Sequence, residues 1–276
     1  MSSPPAVLVT GATDGLGRRL ARELAAGGAN VLVHGRDPGR IAATLEEIHA
    51  ATGSQRLRGY RADLASLEDV RRLADEVAAG EERLDVLVNN AGVGAGRRGA
   101  GRELSRDGHE LRLAVNYLAP FLLTMRLLPL LRRSAPARVV NVASAGQRAL
   151  DLDDPMLERG YDGMRAYAQS KLAQIMFTFE LAGRLPAGEV TVTALHPASL
   201  MPTKMVDETF GYTLSTLEEG VAATLRLAVA PELAGVTGRY FDGLHEARAD
   251  AQAYDAAARR RLWALSEELA GLRAPG

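Results

Sequence analysis

The feature that most constrains the fold of this chain is a regular alternation of short apolar runs with longer segments of helical periodicity. Runs made almost entirely of Val, Leu and Ala are typical of strands that are buried on both faces. Strands that alternate with helices build parallel sheets, because the intervening helix returns the chain to the same end of the sheet. The predicted strands are 6–10, 31–33, 56–60, 84–88, 138–142, 190–195 and 239–241. The predicted helices are 16–26, 38–51, 66–79, 104–133, 165–185, 217–230 and 247–269.

This alternation predicts an α/β fold with one doubly wound parallel sheet of the Rossmann type and helices on both faces. No linker, internal repeat or low-complexity tract interrupts it, so we expect a single domain over residues 1–276. Ligands of such sheets bind outside the carboxyl ends of the strands. Candidate functional residues are therefore expected directly after the strands.

Composition excludes several classes of site. The sequence contains no cysteine, which excludes disulfides, thiolate metal sites and a cysteine nucleophile. Its five histidines are scattered, so we predict no metal site. The 33 basic and 34 acidic residues give a net charge of -1, without the basic excess of a nucleic-acid-binding protein. A small-molecule ligand is the expectation that remains.

Neither a membrane span nor a secretory signal is predicted. The most apolar stretch, 111–131, contains Arg112, Asn116 and Pro120, which favours a buried helix. The first residues lack the basic region of a signal peptide and lead directly into a predicted strand. We therefore expect a cytoplasmic protein.

The first predicted strand ends in a glycine-rich turn, which is followed by a helix. Glycines allow the backbone to turn tightly and to approach a pyrophosphate closely. The helix N-terminus adds free N–H groups and partial positive charge. The position after the first strand favours a phosphate-binding turn over a turn without a ligand. Its predicted cofactor-binding residues are Gly11, Thr13, Asp14, Gly15, Leu16 and Gly17.

The end of the second strand bears on the choice between NADP and NAD. An acidic residue at this tip would bind the ribose hydroxyls of NAD. Here Gly35 occupies the tip and Arg36 follows, and a guanidinium can pair with the 2′-phosphate of NADP. We therefore favour NADP. The alternative is that Arg36 is a solvated turn residue and Asp37 binds the ribose, and Asp14 in the glycine-rich turn also weighs against a phosphate. The neighbouring His34 is interpreted as structural.

Four further polar signals follow the glycine-rich turn in order. They are Asn89-Asn-Ala-Gly92, Asn116, Ser144 and Tyr167-Ala-Gln-Ser-Lys171. Together with the turn, they resemble the short-chain dehydrogenase/reductase family over residues from about 10 to 242. The combination carries the resemblance, because Tyr-x-x-x-Lys alone occurs by chance in many helices.

The spacing of Tyr167 and Lys171 has a chemical meaning of its own. Residues four apart share one face of a helix. An ammonium beside a phenol favours the phenolate, so we predict that Lys171 lowers the pKa of Tyr167 below its free value of about 10. The phenol can then exchange a proton at working pH. Ser144 can hydrogen-bond a substrate oxygen.

The family resemblance implies roles for the individual residues. Tyr167 would be the general acid/base, and Ser144 would polarise the carbonyl. Lys171 would bind the nicotinamide ribose, and Asn116 would hold a water in a proton relay to Lys171. The resemblance also implies that the cofactor is contacted by Asp63, Leu64, Asn89, Ala91, Gly92, Pro197 and Thr203.

Each role has a structural alternative. For Asn116 the alternative is a hydrogen-bonded polar group in a helix core. For Asp63 it is a helix cap, and for Ser144 it is a turn residue. The sequence also departs from the family pattern, since Pro197 is followed by Ala198 where the family often has glycine. That departure puts the position of Thr203 in doubt.

Two segments are expected to form the walls of a substrate pocket. Segment 147–163 is an insertion that resembles the branch of the family containing retinol dehydrogenases and protochlorophyllide reductases, which act on bulky lipophilic molecules. Segment 198–216 is rich in apolar residues, including Met201, Met205 and Phe210, and suits an adaptable lid. Ordinary core positions are the alternative for about half of these residues.

The resemblance implies an NAD(P)-dependent oxidoreductase that interconverts a carbonyl with a primary or secondary alcohol. NADPH-dependent reduction of a lipophilic ketone or aldehyde is the specific expectation, and the family suggests a homodimer or homotetramer. An epimerase or dehydratase is one alternative, but the glycine pattern and the missing sugar-binding half speak against it. A non-catalytic cofactor-sensing protein on the same fold is the other.

Overall fold

An eight-stranded sheet in the order β3-β2-β1-β4-β5-β6-β7-β8 forms the centre of the computed structural model. The structure describes residues 4–97, 99–186, 188–209 and 211–272. Strands β1 to β7 pair in parallel, and β8 is antiparallel to β7. The chain order reverses between β1 and β4, which confirms the doubly wound prediction. The strands are β1 (Ala6–Val9), β2 (Asn30–Gly35), β3 (Leu57–Arg61), β4 (Val86–Asn89), β5 (Ala137–Val142), β6 (Val190–His196), β7 (Arg239–Asp242) and β8 (His245–Glu246).

Helices cover both faces of this sheet, as predicted. The helices are α1 (Gly15–Ala26), α2 (Pro38–Thr52), α3 (Leu67–Gly80), α4 (Leu111–Leu113), α5 (Ala119–Arg133), α6 (Gly163–Arg184), α7 (Lys204–Thr209), α8 (Leu217–Val229) and α9 (Ala256–Leu269). One apolar cluster packs α1 and α8 against the sheet, and the other packs α3, α5, α6 and α9 against the opposite face. A π-helical turn, Ala114–Leu118, joins α4 to α5 in one continuous helix.

That continuous helix, Leu111–Arg133, is long and apolar enough to cross a membrane by length and composition alone. Its most apolar window has a mean hydropathy of 1.4, but 78% of that window is buried inside the protein. Burial of this extent is typical of a core helix, because a membrane-spanning helix would face lipid.

Two predicted helices begin later than the sequence suggested. Residues 104–110 form a turn closed by a bridge between Leu104 and Glu110, and Gly108 adopts a φ of 82° that ends any helical path. The last helix begins at Ala256 because the Asp255 carboxylate caps it, accepting hydrogen bonds from the amides of Ala257 and Ala258. Neither α7 nor β8 was predicted.

Candidate functional site

The glycine-rich turn after β1 leaves no room for side chains at two of its glycines. A Cβ added to Gly11, which has a φ of 65°, would lie 2.9 Å from the Cα of Ala91. A Cβ on Gly17 would overlap the carbonyl oxygen of Gly11. Asp14 caps α1 by accepting a 2.8 Å hydrogen bond from the Gly15 amide. The turn is therefore a tight backbone cradle at a helix N-terminus, which suits a pyrophosphate.

Thr10 and Asn90 hold this cradle against the end of β4. The Thr10 hydroxyl accepts hydrogen bonds from the amides of Asn90 and Ala91, at 2.9 and 3.0 Å. The Asn90 side chain donates to the Thr10 carbonyl oxygen at 2.8 Å. Sequence reasoning did not assign these two residues a role. The signal available was a hydroxyl directly before the first glycine and a second asparagine after β4.

A buried imidazole fixes the other side of the cradle. His34 Nδ1 accepts a 3.1 Å hydrogen bond from the Gly11 amide, so Nε2 carries the proton that it shares with the Ala62 carbonyl oxygen at 3.2 Å. Burial lowers the pKa of His34 to about 4. The neutral ring thus links the glycine-rich turn to the residue after β3, in the structural role predicted for it.

The charged residues after β2 are arranged around the cradle. Arg36 is exposed and makes no ion pair among the described residues. Asp37 accepts a 2.8 Å hydrogen bond from the Arg40 amide and thereby caps α2. The Arg40 guanidinium donates to Asp14 Oδ2 at 2.9 Å and to the Thr13 carbonyl oxygen at 3.1 Å, and it lowers the pKa of the Asp14 carboxyl. Sequence reasoning missed Arg40, whose contact depends on how α2 packs.

Asp63 lies directly after β3, at the same end of the sheet. Its carboxylate accepts a 3.0 Å hydrogen bond from the Ala65 amide and lies 3.7 Å from the Arg106 guanidinium. The cap of α3 is Ser66, so the structural alternative for Asp63 does not apply. Leu64 is buried in the core.

The predicted pair on α6 is adjacent in the structure. Lys171 Nζ lies 5.9 Å from the centroid of the Tyr167 ring. The Lys171 side chain is buried, and it donates hydrogen bonds to the Val142 carbonyl oxygen at 2.8 Å and to Gln174 Oε1 at 3.1 Å. The Ser144 side chain lies near the Tyr167 hydroxyl, and its interaction with the phenol opposes the effect of burial on the pKa of Tyr167. The structure thus brings three of the four predicted catalytic residues together.

Burial shifts the ionisation of this pair. It lowers the pKa of Lys171 to about 7, so the amine is only partly charged at neutral pH. Burial also raises the pKa of Tyr167, and the interaction with Ser144 offsets this only in part. The prediction that the phenol has a lowered pKa is therefore wrong for the free protein, because desolvation is the largest effect on it.

Ser144 lies at the carboxyl end of β5 and is buried. Its hydroxyl accepts a 3.0 Å hydrogen bond from the Gly146 amide, and its carbonyl oxygen accepts one from the Tyr240 hydroxyl at 3.1 Å. The residue is thus both a turn residue, as in its structural alternative, and a partner of Tyr167.

Asn116 lies in the π-helical turn with its side chain fully hydrogen-bonded. Its Oδ1 accepts from the Val93 amide at 2.8 Å, and its Nδ2 donates to the Val93 carbonyl oxygen at 3.0 Å and to Ser170 Oγ at 2.9 Å. A Cβ on Gly92 would lie 3.2 Å from Asn116 Oδ1 and 3.5 Å from Lys171 Nζ. The side chain therefore fixes the loop after β4 beside Lys171, without contacting the lysine.

Two predicted cofactor-contacting residues have their side chains in the core. Leu16 belongs to the cluster beneath α1. Asn89 Nδ2 donates to Thr124 Oγ1 at 3.0 Å and to Asn141 Oδ1 at 2.9 Å. Any contact of Leu16 or Asn89 with a ligand at the cradle has to come from the backbone.

The segment after β6 touches the glycine-rich turn through Thr203. A Cβ on Gly15 would lie 3.3 Å from the Thr203 methyl group, which places this threonine beside the cradle. Pro197, the first residue of the segment after β6, is buried. Met201, expected in the pocket wall, belongs to the core and packs against Gly220.

A buried ion pair anchors the first predicted wall, segment 147–163. The Tyr161 hydroxyl donates to Glu110 Oε1 at 3.2 Å, and Arg112 lies 3.6 Å from the same carboxylate. Arg112 Nε also donates to the Gly94 carbonyl oxygen at 3.1 Å. The wall, the start of α4 and the loop after β4 are thus joined through one carboxylate.

The second predicted wall, segment 198–216, exposes large apolar side chains. Tyr212 is 57% exposed and Leu214 is 69% exposed. Apart from α7, the segment is irregular. Phe210, also predicted there, lies outside the described residues.

Comparison with known proteins places the site in a family context. The family model for short chain dehydrogenases matches residues 5–211. Human retinol dehydrogenase 13 is 38% identical over 286 residues, which cover 98% of this chain and 85% of that protein.

Solved structures have the same architecture. A protein from Mycobacterium paratuberculosis is 31% identical with a TM-score of 0.76, over 99% of this chain and 97% of that chain. A short chain dehydrogenase from Shigella flexneri, complexed with NADP, is 27% identical with a TM-score of 0.72, over 87% of this chain and 96% of that chain.

Proposed function

Because the chain belongs to the short-chain dehydrogenase/reductase family, in its retinol dehydrogenase-like branch, and is an NAD(P)-dependent oxidoreductase, we propose that it reduces a lipophilic ketone or aldehyde with NADPH. One observation carries the proposal. The Tyr167–Ser144 hydroxyl pair and the Lys171 amine lie at the end of the sheet that also holds the glycine-rich cradle.

The residues present fit a dinucleotide. Gly11 and Gly17 let the turn pack closely against Ala91 and against itself, and Arg40 forms an ion pair with the Asp14 carboxylate beside the turn. Gly11, Gly15 and Gly17 would hold the pyrophosphate, Asp63 the adenine side and Lys171 the nicotinamide ribose. When bound, the reduced nicotinamide supplies the hydride.

In the proposed reaction, Ser144 and Tyr167 bind the substrate carbonyl oxygen. Ser144 donates a hydrogen bond that orients the carbonyl, and Tyr167 transfers its hydroxyl proton to the oxygen as the alcohol forms. The raised pKa of Tyr167 suits this direction, because the phenol then holds its proton at neutral pH. A charged Lys171 stabilises the phenolate that remains.

Asn116 is proposed to act through position. Its side-chain hydrogen bonds to both backbone atoms of Val93 keep the loop after β4 against Lys171. The water relay implied by the resemblance would then use an acceptor of the π-helical turn, since both Nδ2 hydrogens of Asn116 are occupied.

Charge at the end of β2 supports the preference for NADPH. Arg36 is exposed and unpaired among the described residues, whereas the competing Asp37 carboxylate caps α2. Arg40 cancels the charge of Asp14, which removes the main argument against a phosphate here. The related Shigella flexneri dehydrogenase was solved with NADP.

Two observations support a lipophilic substrate. Segment 198–216, which touches the glycine-rich turn through Thr203, presents exposed Tyr212 and Leu214, which an apolar molecule would cover. The relative human retinol dehydrogenase 13 is named for a lipophilic alcohol.

The experiment that tests the proposal measures cofactor binding and turnover with the pure protein. NADPH and NADH are titrated by fluorescence, and each is then tested with lipophilic ketones and aldehydes. We expect tight NADPH binding with turnover. Tyr167→Phe should lower kcat by about 1,000-fold, while the Kd for NADPH changes little, because only the transferred proton is lost.

The alternatives predict different results. A cofactor-sensing protein would bind NADPH without turnover, and Tyr167→Phe would then change nothing. Failure to bind either nucleotide would show that the glycine-rich turn is purely structural, and it would overturn the proposal.

A further inference from the structure

Lys171 makes two hydrogen bonds, and only one of them involves the backbone. Its amine donates to the Val142 carbonyl oxygen at 2.8 Å and to Gln174 Oε1 at 3.1 Å. Gln174 follows Lys171 by three residues on α6 and is fully buried. A lysine ammonium has three donors, so one donor remains for a ligand.

Gln174 is an unfavourable residue for its surroundings. Its Nε2 has no hydrogen-bond partner among the described residues, although it is buried. An unsatisfied buried amide destabilises a fold, whereas an apolar residue of similar size would not. Among the described residues, the polar contact of the Gln174 side chain is made by its oxygen, which faces Lys171.

The backbone of Gln174 is held by a ladder of buried polar side chains. Thr178 Oγ1 donates to the Gln174 carbonyl oxygen at 2.9 Å and accepts from Asn141 Nδ2 at 2.9 Å. Asn141 Oδ1 in turn accepts from Asn89 Nδ2 at 2.9 Å. The ladder ties this turn of α6 to β5 and β4, so the backbone that carries the acceptor for Lys171 has a fixed position.

We propose that Gln174 is a positioning residue for Lys171, holding the amine between its own side-chain oxygen and the Val142 carbonyl oxygen. Two donors are thereby directed inward, and the third stays available beside Gly92 and Tyr167. The inference rests on the proposed function only for its consequence in catalysis.

The charged form of Lys171 gains most from this arrangement. Both acceptors are neutral. The titratable groups that face the amine are the Tyr167 phenol and the His196 imidazole. Burial lowers the pKa of His196, the charge of Asp242 raises it, and that of Lys171 lowers it. Burial disfavours the ammonium, and a hydrogen bond to the Gln174 oxygen favours it on electrostatic grounds. Removing the oxygen should therefore lower the pKa of Lys171 further below about 7.

The sequence makes a direct measurement simple, because its only lysines are Lys171 and Lys204. Protein labelled with ¹³C at lysine Cε gives two signals, and Lys204→Arg identifies the one from Lys171. In Gln174→Leu we expect the titration midpoint of that signal to fall by about one pH unit. Thr224→Val removes a buried hydroxyl of α8 that donates to the Gly220 carbonyl oxygen, and it should leave the midpoint unchanged.

Two further variants keep the test decisive if Gln174→Leu does not fold. Gln174→Met keeps the length of the side chain and should lower the midpoint in the same way. Gln174→Glu keeps the acceptor oxygen and should raise the midpoint, since a carboxylate stabilises the ammonium more than an amide does.

An unchanged Lys171 midpoint in a folded Gln174→Leu or Gln174→Met variant would overturn the inference. This titration needs no cofactor or turnover, so its failure is distinct from failure of the proposed function. In the active enzyme, the pH dependence of alcohol oxidation gives a second readout. We expect its midpoint to move to higher pH in Gln174→Leu, because a less charged Lys171 stabilises the Tyr167 phenolate less.

Discussion

The glycine-rich turn and segment 198–216 touch each other, yet they are held in different ways. The turn is bonded to its neighbouring strands: the Thr10 amide donates to the Val88 carbonyl oxygen at 3.0 Å, and the Ala12 amide donates to that of His34 at 2.9 Å. Segment 198–216 bonds mainly within itself, as between the Leu214 amide and the Leu200 carbonyl oxygen at 3.1 Å. The turn proposed to bind the cofactor is therefore part of the sheet, whereas the segment proposed to face the substrate is a separate layer over it.

The largest effect is expected where the cradle is most crowded. Gly17→Ala should raise the Kd for NADPH by about 100-fold, because the new methyl group overlaps the Gly11 carbonyl oxygen and must displace the turn. Fluorescence titration measures the change. Gly183→Ala, at an exposed helical glycine with open space around it, is the control and should bind NADPH normally. Normal binding by Gly17→Ala would show that the turn tolerates displacement.

The link between the cradle and β3 should make stability depend on pH. The pKa of His34 is lowered from 6.5 to about 4 in the folded protein, so its neutral form is favoured there. This contribution is fully present above pH 6.5 and is lost as the pH falls through about 4. Between pH 7 and 4.5 the free energy of unfolding should fall by about 2.5 kcal/mol from this group.

Urea unfolding at the two pH values measures this effect. His34→Gln should be less sensitive to pH than the wild type by about that amount, since glutamine does not titrate. His49→Gln, at an exposed histidine, should behave like the wild type. Equal pH dependence in all three proteins would mean that His34 is not held neutral.

A smaller effect is expected at the edge of the cradle. Arg36→Ala should raise the KM for NADPH by about tenfold and leave that for NADH nearly unchanged, because only NADPH carries the 2′-phosphate. Arg56→Ala removes another exposed arginine and should change neither value. A similar loss for both cofactors in Arg36→Ala would point to a structural role instead.

The smallest effect is expected in the outer layer. Leu214 is 69% exposed, so Leu214→Ser should change stability by less than about 0.5 kcal/mol. The KM for a lipophilic ketone should rise by about threefold as apolar contact is lost, while the Kd for NADPH stays the same. A change in NADPH binding would show that the two sides of the site are coupled.

The difference between the two sides also explains what the sequence could predict. Strands buried on both faces leave continuous apolar runs, and glycines forced by close contact leave a fixed spacing. The sheet, its helical cover and the placement of Tyr167 beside Lys171 and Ser144 were accessible in this way. Segment 198–216 has no such periodicity, so α7 and the burial of Met201 were not predicted.

Other features were missed because they depend on three-dimensional packing. Arg40 contacts Asp14 because α2 packs against the glycine-rich turn, and the sequence does not show this packing. Gln174 lies in a largely apolar helix, and its contact with Lys171 is evident only in the structure. The direction of the Tyr167 pKa was predicted wrongly because sequence spacing shows the neighbouring charge but not the loss of solvent. The turn at Gly108 could have been predicted from its glycine, but the sequence around it was interpreted as part of a helix.

The π-helical turn Ala114–Leu118 has a consequence for the register of the whole helix. A π turn holds one residue more than an α turn, so it offsets the residues before it from those after it by about 100° around the axis. The offset lets Asn116 face the loop at Val93 while Phe121 and Leu122 of α5 still face the core. Deleting a single residue within this turn would restore a uniform helix, and Arg112 and Phe121 could then no longer both keep the faces that they now occupy.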